Sequence, residues 1–293
     1  MRLAAIDVGT NSVLLTIVDG ELRPLLERAT ITRLGRGVDA TRRLSPEAIE
    51  RTLACLERYA AECAGVDELL AVGTSALRDA AGADQFLARA EQTLGVPLRV
   101  ISGGEEASLT YDGALSGVAA QGRVLVFDVG GGSTEVIVER SGTSLDIGSV
   151  RLFERHAPED PPAPTDLEAL RTEIRQALET LPPLGRIDTV VGVAGTVTTL
   201  KAIELRLDPY DVTRVHGSRL TRGVVRQLIT QLAALPIAQR SELPGLEAGR
   251  ADVILVGALI VDEMLDFTGK SELLVSDRGV RWGLLQRRAR ELQ

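Results

Sequence analysis

The chain has 293 residues, 44% hydrophobic and 25% charged; that is room for two domains of about 150 residues and the make-up of a globular rather than a disordered protein. A formal net charge of −8 excludes a broad basic surface for nucleic acid or anionic lipid, so an anionic ligand must be held locally, by backbone N–H groups, a few Arg and a metal ion. Two cysteines, Cys55 and Cys63, lie in a helical pattern that is neither a zinc site nor a redox motif and fits a reducing cytoplasm; no signal-peptide pattern and no bilayer-length apolar run are present, so neither membrane nor nucleic acid is an expected partner.

Residues 2–8 read as a buried strand, Gly9-Thr10-Asn11-Ser12 as a tight turn, and residues 12–19 as a second strand ending at the hairpin signal Asp19-Gly20. Ser45-Pro46-Glu47 opens a helix, Ser as N-cap and Pro at the first helical position. Ile49, Leu53, Leu56, Tyr59 and Ala60 continue it at helical spacing. A strand over 69–72 leads to Gly73-Thr74-Ser75; a helix over 84–94, a strand over 98–101 and a helix over 105–115 follow. Then the opening pattern returns. Residues 124–129 form a strand, Gly130-Gly131-Gly132-Ser133-Thr134 a turn and 135–139 a strand, with Ser141-Gly142 closing a hairpin. Asp7 and Asp128 hold the same place in two copies of one unit, 121 residues apart.

Beyond this repeat come a Pro-rich loop over 157–164, a helix over 166–181, a strand over 189–193, the turn Gly195-Thr196, helices over 222–235 and 251–267, a strand over 272–275 and a last helix over 279–290. Strands alternating with helices predict α/β architecture with two sheets. The expected domains are 1–122 and 123–293, with a cleft between them and the last helix packing back on the first.

Three turns are candidate phosphate loops: Asp7 with Gly9, Thr10, Asn11 and Ser12; Gly130, Gly131 and Gly132 with Ser133 and Thr134; and Gly195 with Thr196. Glycine allows left-handed turns that aim consecutive N–H groups at one point, and it lets backbone approach an anion closely. The hydroxyls add donors. Asp7 and Asp128 end their strands where a carboxylate can hold a cation or a water beside a phosphate.

These turns, in this order, resemble the actin–Hsp70–sugar-kinase superfold, and the chain is more closely similar to the exopolyphosphatase / guanosine pentaphosphate phosphohydrolase family. The matching blocks are Ile6 through Ser12, Gly73 through Ala80, Ile101 through Ala107, Asp128 through Glu135, Ala194-Gly195-Thr196, and Pro244-Gly245-Leu246 with Arg250 through Ile254. The resemblance implies two actin-like domains around an active-site cleft. It implies Mg²⁺-dependent (or Mn²⁺-dependent) hydrolysis of a terminal phosphoanhydride in polyphosphate or guanosine pentaphosphate, commonly in a homodimer. It implies roles too: Glu106 positions or deprotonates water, Asp128 and Glu135 bind the metal, and Arg78 contacts the phosphate chain. Ser108 stands where the family often has Arg, and Trp282 where it commonly has Glu. Longer members carry an additional C-terminal helical region, and this chain resembles a short form. His156 and His216 are expected to be structural. Arg33, Arg36, Arg42 and Arg43 form a basic cluster that could flank the substrate entrance. Two other functions are compatible with these motifs: a phosphotransferase of the same superfold, and a non-catalytic sensor of polyphosphate or guanosine polyphosphate.

Overall fold

The computed structural model describes residues 1–156 and 158–292; Ala157, where the expected Pro-rich loop begins, lies outside them. The first part of the chain forms β1 (Leu3–Val8), β2 (Ser12–Val18), β3 (Pro24–Ile31), α1 (Val38–Thr41), α2 (Pro46–Glu62), β4 (Glu68–Gly73), α3 (Ser75–Asp79), α4 (Ala83–Leu94), β5 (Leu98–Val100) and α5 (Gly103–Ala114). Next come β6 (Val124–Val129), β7 (Thr134–Val138), β8 (Ser141–Leu145), α6 (Ser149–His156), α7 (Pro164–Glu179), β9 (Thr189–Val193) and α8 (Ala194–Leu205). The remainder is α9 (Val212–Val215), β10 (Arg219–Thr221), α10 (Arg222–Ala233), α11 (Ile237–Arg240), a 3-10 turn (Ala248–Arg250), α12 (Ile254–Phe267), β11 (Glu272–Val275) and α13 (Val280–Glu291). At the start of α2 the Ser45 hydroxyl accepts the Ala48 N–H at 3.2 Å, with Pro46 beside it.

Two sheets result, ordered β3-β2-β1-β4-β5 and β10-β11-β9-β6-β7-β8. They follow one plan: an antiparallel triplet (β1–β2–β3, β6–β7–β8) with a parallel strand, β4 or β9, on the far side of its first member. Even the turns match. Gly9 N–H donates to Ser12 O at 3.0 Å, and Gly130 N–H to Ser133 O at 3.0 Å.

Several expectations change. β3 and α6 were not foreseen: β3 carries Glu27 and Arg28 among its apolar residues, and the short α6 buries Arg151, which only distant partners can neutralise. The hairpin after β7 turns at Glu139-Arg140, both left-handed (φ 51° and 67°), while Ser141 and Gly142 already belong to β8. Gly142 serves close packing instead, since a Cβ there would stand 2.6 Å from Ala107 Cβ. Gly195-Thr196 is not a turn; it forms the first turn of α8.

Packing crosses the expected boundary near residue 122 in both directions. From α13, Val280, Trp282, Leu284 and Leu285 pack with Leu3, Ala5 and Val18 of the first sheet. From α5, Ala107 and Ala114 pack with Val124, Val126, Ile137 and Val191 of the second. The two helices meet where a Cβ on Gly113 would overlap Gly279 O and one on Gly283 would overlap Leu109 O. Trp282 is structural here: its indole N–H donates to Glu27 at 3.2 Å, and Arg278 lies 3.9 Å over its ring. Both cysteines are free and buried. Among the described residues no helix is long and apolar enough to cross a membrane.

Candidate functional site

A cleft of about 760 Å³ opens between the two sheets, where the repeated turns face each other. Their carbonyls are turned back into the protein. Thr10 O accepts Gly35 N–H at 2.9 Å, and Asn11 O accepts Thr32 and Arg33 N–H at 3.0 and 2.8 Å. Opposite, Gly130 O accepts Ser149 N–H (3.0 Å), Gly131 O accepts Val150 and Arg151 N–H (2.9 and 3.0 Å), and Gly132 O accepts Arg151 Nε (2.5 Å). Among the described residues the N–H groups of Thr10, Asn11, Gly131, Gly132 and Ser133 have no backbone partner. Two donor-only nests therefore flank one space, an arrangement that attracts anions.

Glycine's part differs from the expectation. Neither Gly9 nor any of Gly130, Gly131 and Gly132 has positive φ. What they supply is room: a Cβ on Gly131 would stand 3.2 Å from Thr10 Cβ, so the facing loops would have to part by a few tenths of an ångström. Thr10 is fixed by a 2.8 Å hydrogen bond with Ser75. Gly9, Thr10, Asn11, Ser12, Gly130, Gly131 and Ser133 line the cleft; Gly132 and Thr134 do not. Thr134 is fully buried and donates to Ile147 O, so its hydroxyl is structural. Gly195 and Thr196 do line the cleft, entered through Ala194 in a left-handed conformation (φ 68°), and the first-turn N–H groups of α8 are free of helical partners.

Of the carboxylates that line this cleft, Asp7, Glu106, Asp128 and Glu135 form a group whose charges act on one another. Asp128 and Glu135 are register partners across β6 and β7. One Glu135 oxygen accepts Ser133 and Ser144 hydroxyls at 2.7 and 2.8 Å. Burial pushes Asp7 up to about 6 against the pull of Arg281, and its buried Oδ1 has no hydrogen-bond partner among the described residues. Burial, then the Glu135 charge, push Glu106 up to about 9 despite Arg78. Burial also raises Asp128, well above the carboxylate range, and Glu135. Crowded, desolvated carboxylates with an orphaned oxygen fit a site for a divalent cation. Among the described residues no three side chains gather tightly enough to cage a metal alone. That suits Mg²⁺, which keeps several waters and is held by one or two carboxylates plus substrate phosphates.

Arg78 is set behind this group rather than on the cleft wall. Its Nη1 donates to Glu106 at 2.5 Å and to Ile101 O at 3.1 Å, so its partner is Glu106, while Asp79 pairs with Arg151. Other arginines reach the cleft that sequence reasoning passed over. Arg250 donates to Ser12 Oγ at 3.2 Å, and its guanidinium lies on Gly195 so closely that a Cβ there would overlap it. Arg281 donates to Leu15 O and Thr16 Oγ1 at 3.1 and 2.9 Å. The only sequence signal for Arg250 was its place in a family-like block. Arg151 is the scaffold: it binds Asp39 at 2.6 Å, Asp79 at 2.5 Å and the Gly132 carbonyl. His216 and His156 lie outside the cleft.

Two sheets of one plan, presenting paired β-hairpin loops to a shared cleft with carboxylates at the strand ends, define an actin-like fold built to handle phosphate. The chain belongs to the Ppx/GppA phosphatase family, whose model matches residues 13–291. It is 38% identical to Exopolyphosphatase 2 of Mycobacterium tuberculosis over 97% of each chain. It is 31% identical to the guanosine-5'-triphosphate,3'-diphosphate pyrophosphatase of Vibrio atlanticus, over 96% of this chain and 58% of that one. The solved Aquifex aeolicus PPX-GPPA enzyme aligns with a TM-score of 0.82 at 37% identity, covering 97% of this chain and 98% of that one. With this membership goes the class: a phosphoanhydride hydrolase.

Proposed function

We propose that the protein is a Mg²⁺-dependent exopolyphosphatase that removes orthophosphate from the end of a polyphosphate chain. The observation that carries this reading is the pair of donor-only loops facing one another beside buried Glu106. Free N–H groups of Thr10, Asn11, Gly131 and Ser133, with the start of α8, grip the terminal phosphoryl group from both sides. Asp128 and Glu135 hold the metal, which when bound neutralises charge on the phosphoryl oxygens. Arg78 fixes one oxygen of Glu106, and the other is left to orient water in line with the terminal phosphorus. The water oxygen bonds to that phosphorus, the bridging P–O bond breaks toward the shortened chain, and the water's proton passes to Glu106. Arg250 and Arg281 stabilise charge as it develops. Residues 1–122 and 123–293 act as the two jaws, in a protein that works in the cytoplasm.

A second reading is supported by the apolar part of the cleft lining. There Leu207, Tyr210, Val212, Leu243 and Leu246 make an apolar wall, with half-exposed Tyr210. Polyphosphate has no apolar part, whereas a purine stacks on such a surface. Guanosine pentaphosphate is the substrate under this reading.

Phosphate release from long-chain polyphosphate, short-chain polyphosphate and guanosine pentaphosphate, with Mg²⁺ and with EDTA, separates the two. EDTA-sensitive release from polyphosphate supports the first. Release from guanosine pentaphosphate alone supports the second. No release from any of them refutes both.

A further inference from the structure

We propose that an arginine-lined groove beside β3 is a second anion subsite, which takes phosphate units lying beyond those held in the catalytic cleft. This rests on the polyphosphate reading above. The groove has a volume of about 540 Å³ and adjoins the cleft, sharing Ala29 and Glu247 with it. Arg33, Arg36 and Arg51 line it, against a single carboxylate, Glu247, which stands 3.4 Å from Arg250.

Each arginine is placed by a different part of the fold. Arg33 is held by Asp252 at 2.9 Å and by Gly249 O at 2.8 Å, and its backbone is left-handed (φ 52°). Its N–H donates to Asn11 O, so the residue that seats the first phosphate loop also begins the groove. Arg51 spends its Nε on Thr32 O, leaving its terminal nitrogens to face the groove. Arg36 is exposed and makes no side-chain hydrogen bond or ion pair among the described residues. Of the basic cluster noted in the sequence, Arg42 and Arg43 line neither space.

The chemistry asks for such a path. Polyphosphate carries a negative charge on every unit, and the molecule's net charge of −8 offers it no general attraction. A chain too long for the cleft must leave across a surface that is locally positive, and planar guanidinium forks match successive phosphates.

The test compares the double variant Arg36→Ala/Arg51→Ala with wild type and with Arg42→Ala/Arg43→Ala, which removes the same charge elsewhere; thermal unfolding checks that all three fold. Turnover is read on long-chain polyphosphate and on tripolyphosphate, and binding by anisotropy of end-labelled long-chain polyphosphate. The groove variant is expected to raise KM and Kd for long chains roughly 3- to 30-fold at low salt, less at high salt. Its kcat should stay within about twofold, with no change on tripolyphosphate. The control variant should match wild type. Equal affinity of wild type and groove variant for long chains, or an equal KM change on both substrates, overturns the subsite. A wild type that binds long chains without cleaving them refutes the hydrolysis reading, while the binding comparison still decides this one.

Discussion

Replacing Glu106 by Gln keeps the side chain's shape but leaves it one oxygen, which Arg78 claims as a donor, so an NH2 group faces the water and the capacity to take a proton is lost. Arg78 holds one Glu106 oxygen at 2.5 Å, so the side chain stays in place while the water loses both its acceptor and its base. Loss of a general base costs about 10²- to 10⁴-fold. With the water's acceptor lost as well, the upper half of that range, about 10³- to 10⁴-fold in kcat or about 4–5 kcal/mol, is expected. KM should move less than about threefold, because the phosphate loops are untouched. Stability should move the other way. Burial and the Glu135 charge raise Glu106 to about 9 in the metal-free protein, far above an unfolded value of about 4.3. The folded state therefore binds the extra proton, and stability in EDTA falls as pH rises between those values. Gln removes this slope, so the variant's melting temperature in EDTA should be flatter with pH and no lower at alkaline pH. In wild type with Mg²⁺, kcat/KM should climb with pH as the base ionises. The assay is stopped-time phosphate release from protein purified without contaminating wild type, paired with thermal melts at several pH values. A kcat within fivefold of wild type would refute the base assignment and leave Glu106 as a scaffold for Arg78.

Three further outcomes are expected. Arg151→Met strands Asp79 and leaves Asp39 to Arg155 alone, with the two carboxylates 26% and 19% exposed. The cost should be about 2–3 kcal/mol, below the range for fully buried pairs, seen as a melting temperature several degrees lower; a shift under one degree would sink the scaffold role. Gly195→Ala drives a methyl into the Arg250 guanidinium, so KM for phosphate release should rise roughly tenfold with the fold intact by circular dichroism; an unchanged KM would remove Arg250 from substrate binding. Asp128→Asn should move the midpoint of a Mg²⁺ titration of activity upward by about tenfold or more, as lost ligand charge does; an unmoved midpoint would show that Asp128 is not a ligand.

Local chemistry made much of the fold legible in the sequence. The unit of strand, Asp, glycine turn and strand appears twice because each hairpin is built from residues that are neighbours in the chain, and the two copies share a backbone hydrogen bond as well as a pattern. The Ser45-Pro46 helix start and the buried strands ending at Asp7 and Asp128 are readable for the same reason. Asp7, Asp128 and Glu135 therefore came together in the cleft as their positions in the repeat implied.

Tertiary structure decided what depends on partners far apart in sequence. Arg151 can be buried in α6 only because Asp39 of α1 and Asp79 of α3 meet it, and no local pattern announces that. Thr134 looks like a loop donor until Ile147 takes its hydroxyl, and Arg250 becomes a cleft residue only where Gly195 lets it lie flat. The crossing of α5 and α13 rests on Gly113 and Gly283, whose missing side chains let two backbones touch. The sequence alone determined the repeated hairpins and the carboxylates at their ends, since periodicity and turn chemistry act over a few residues. Which donors face the cleft, and which arginines stand beside them, was settled by ion pairs and close approaches between segments up to 266 residues apart.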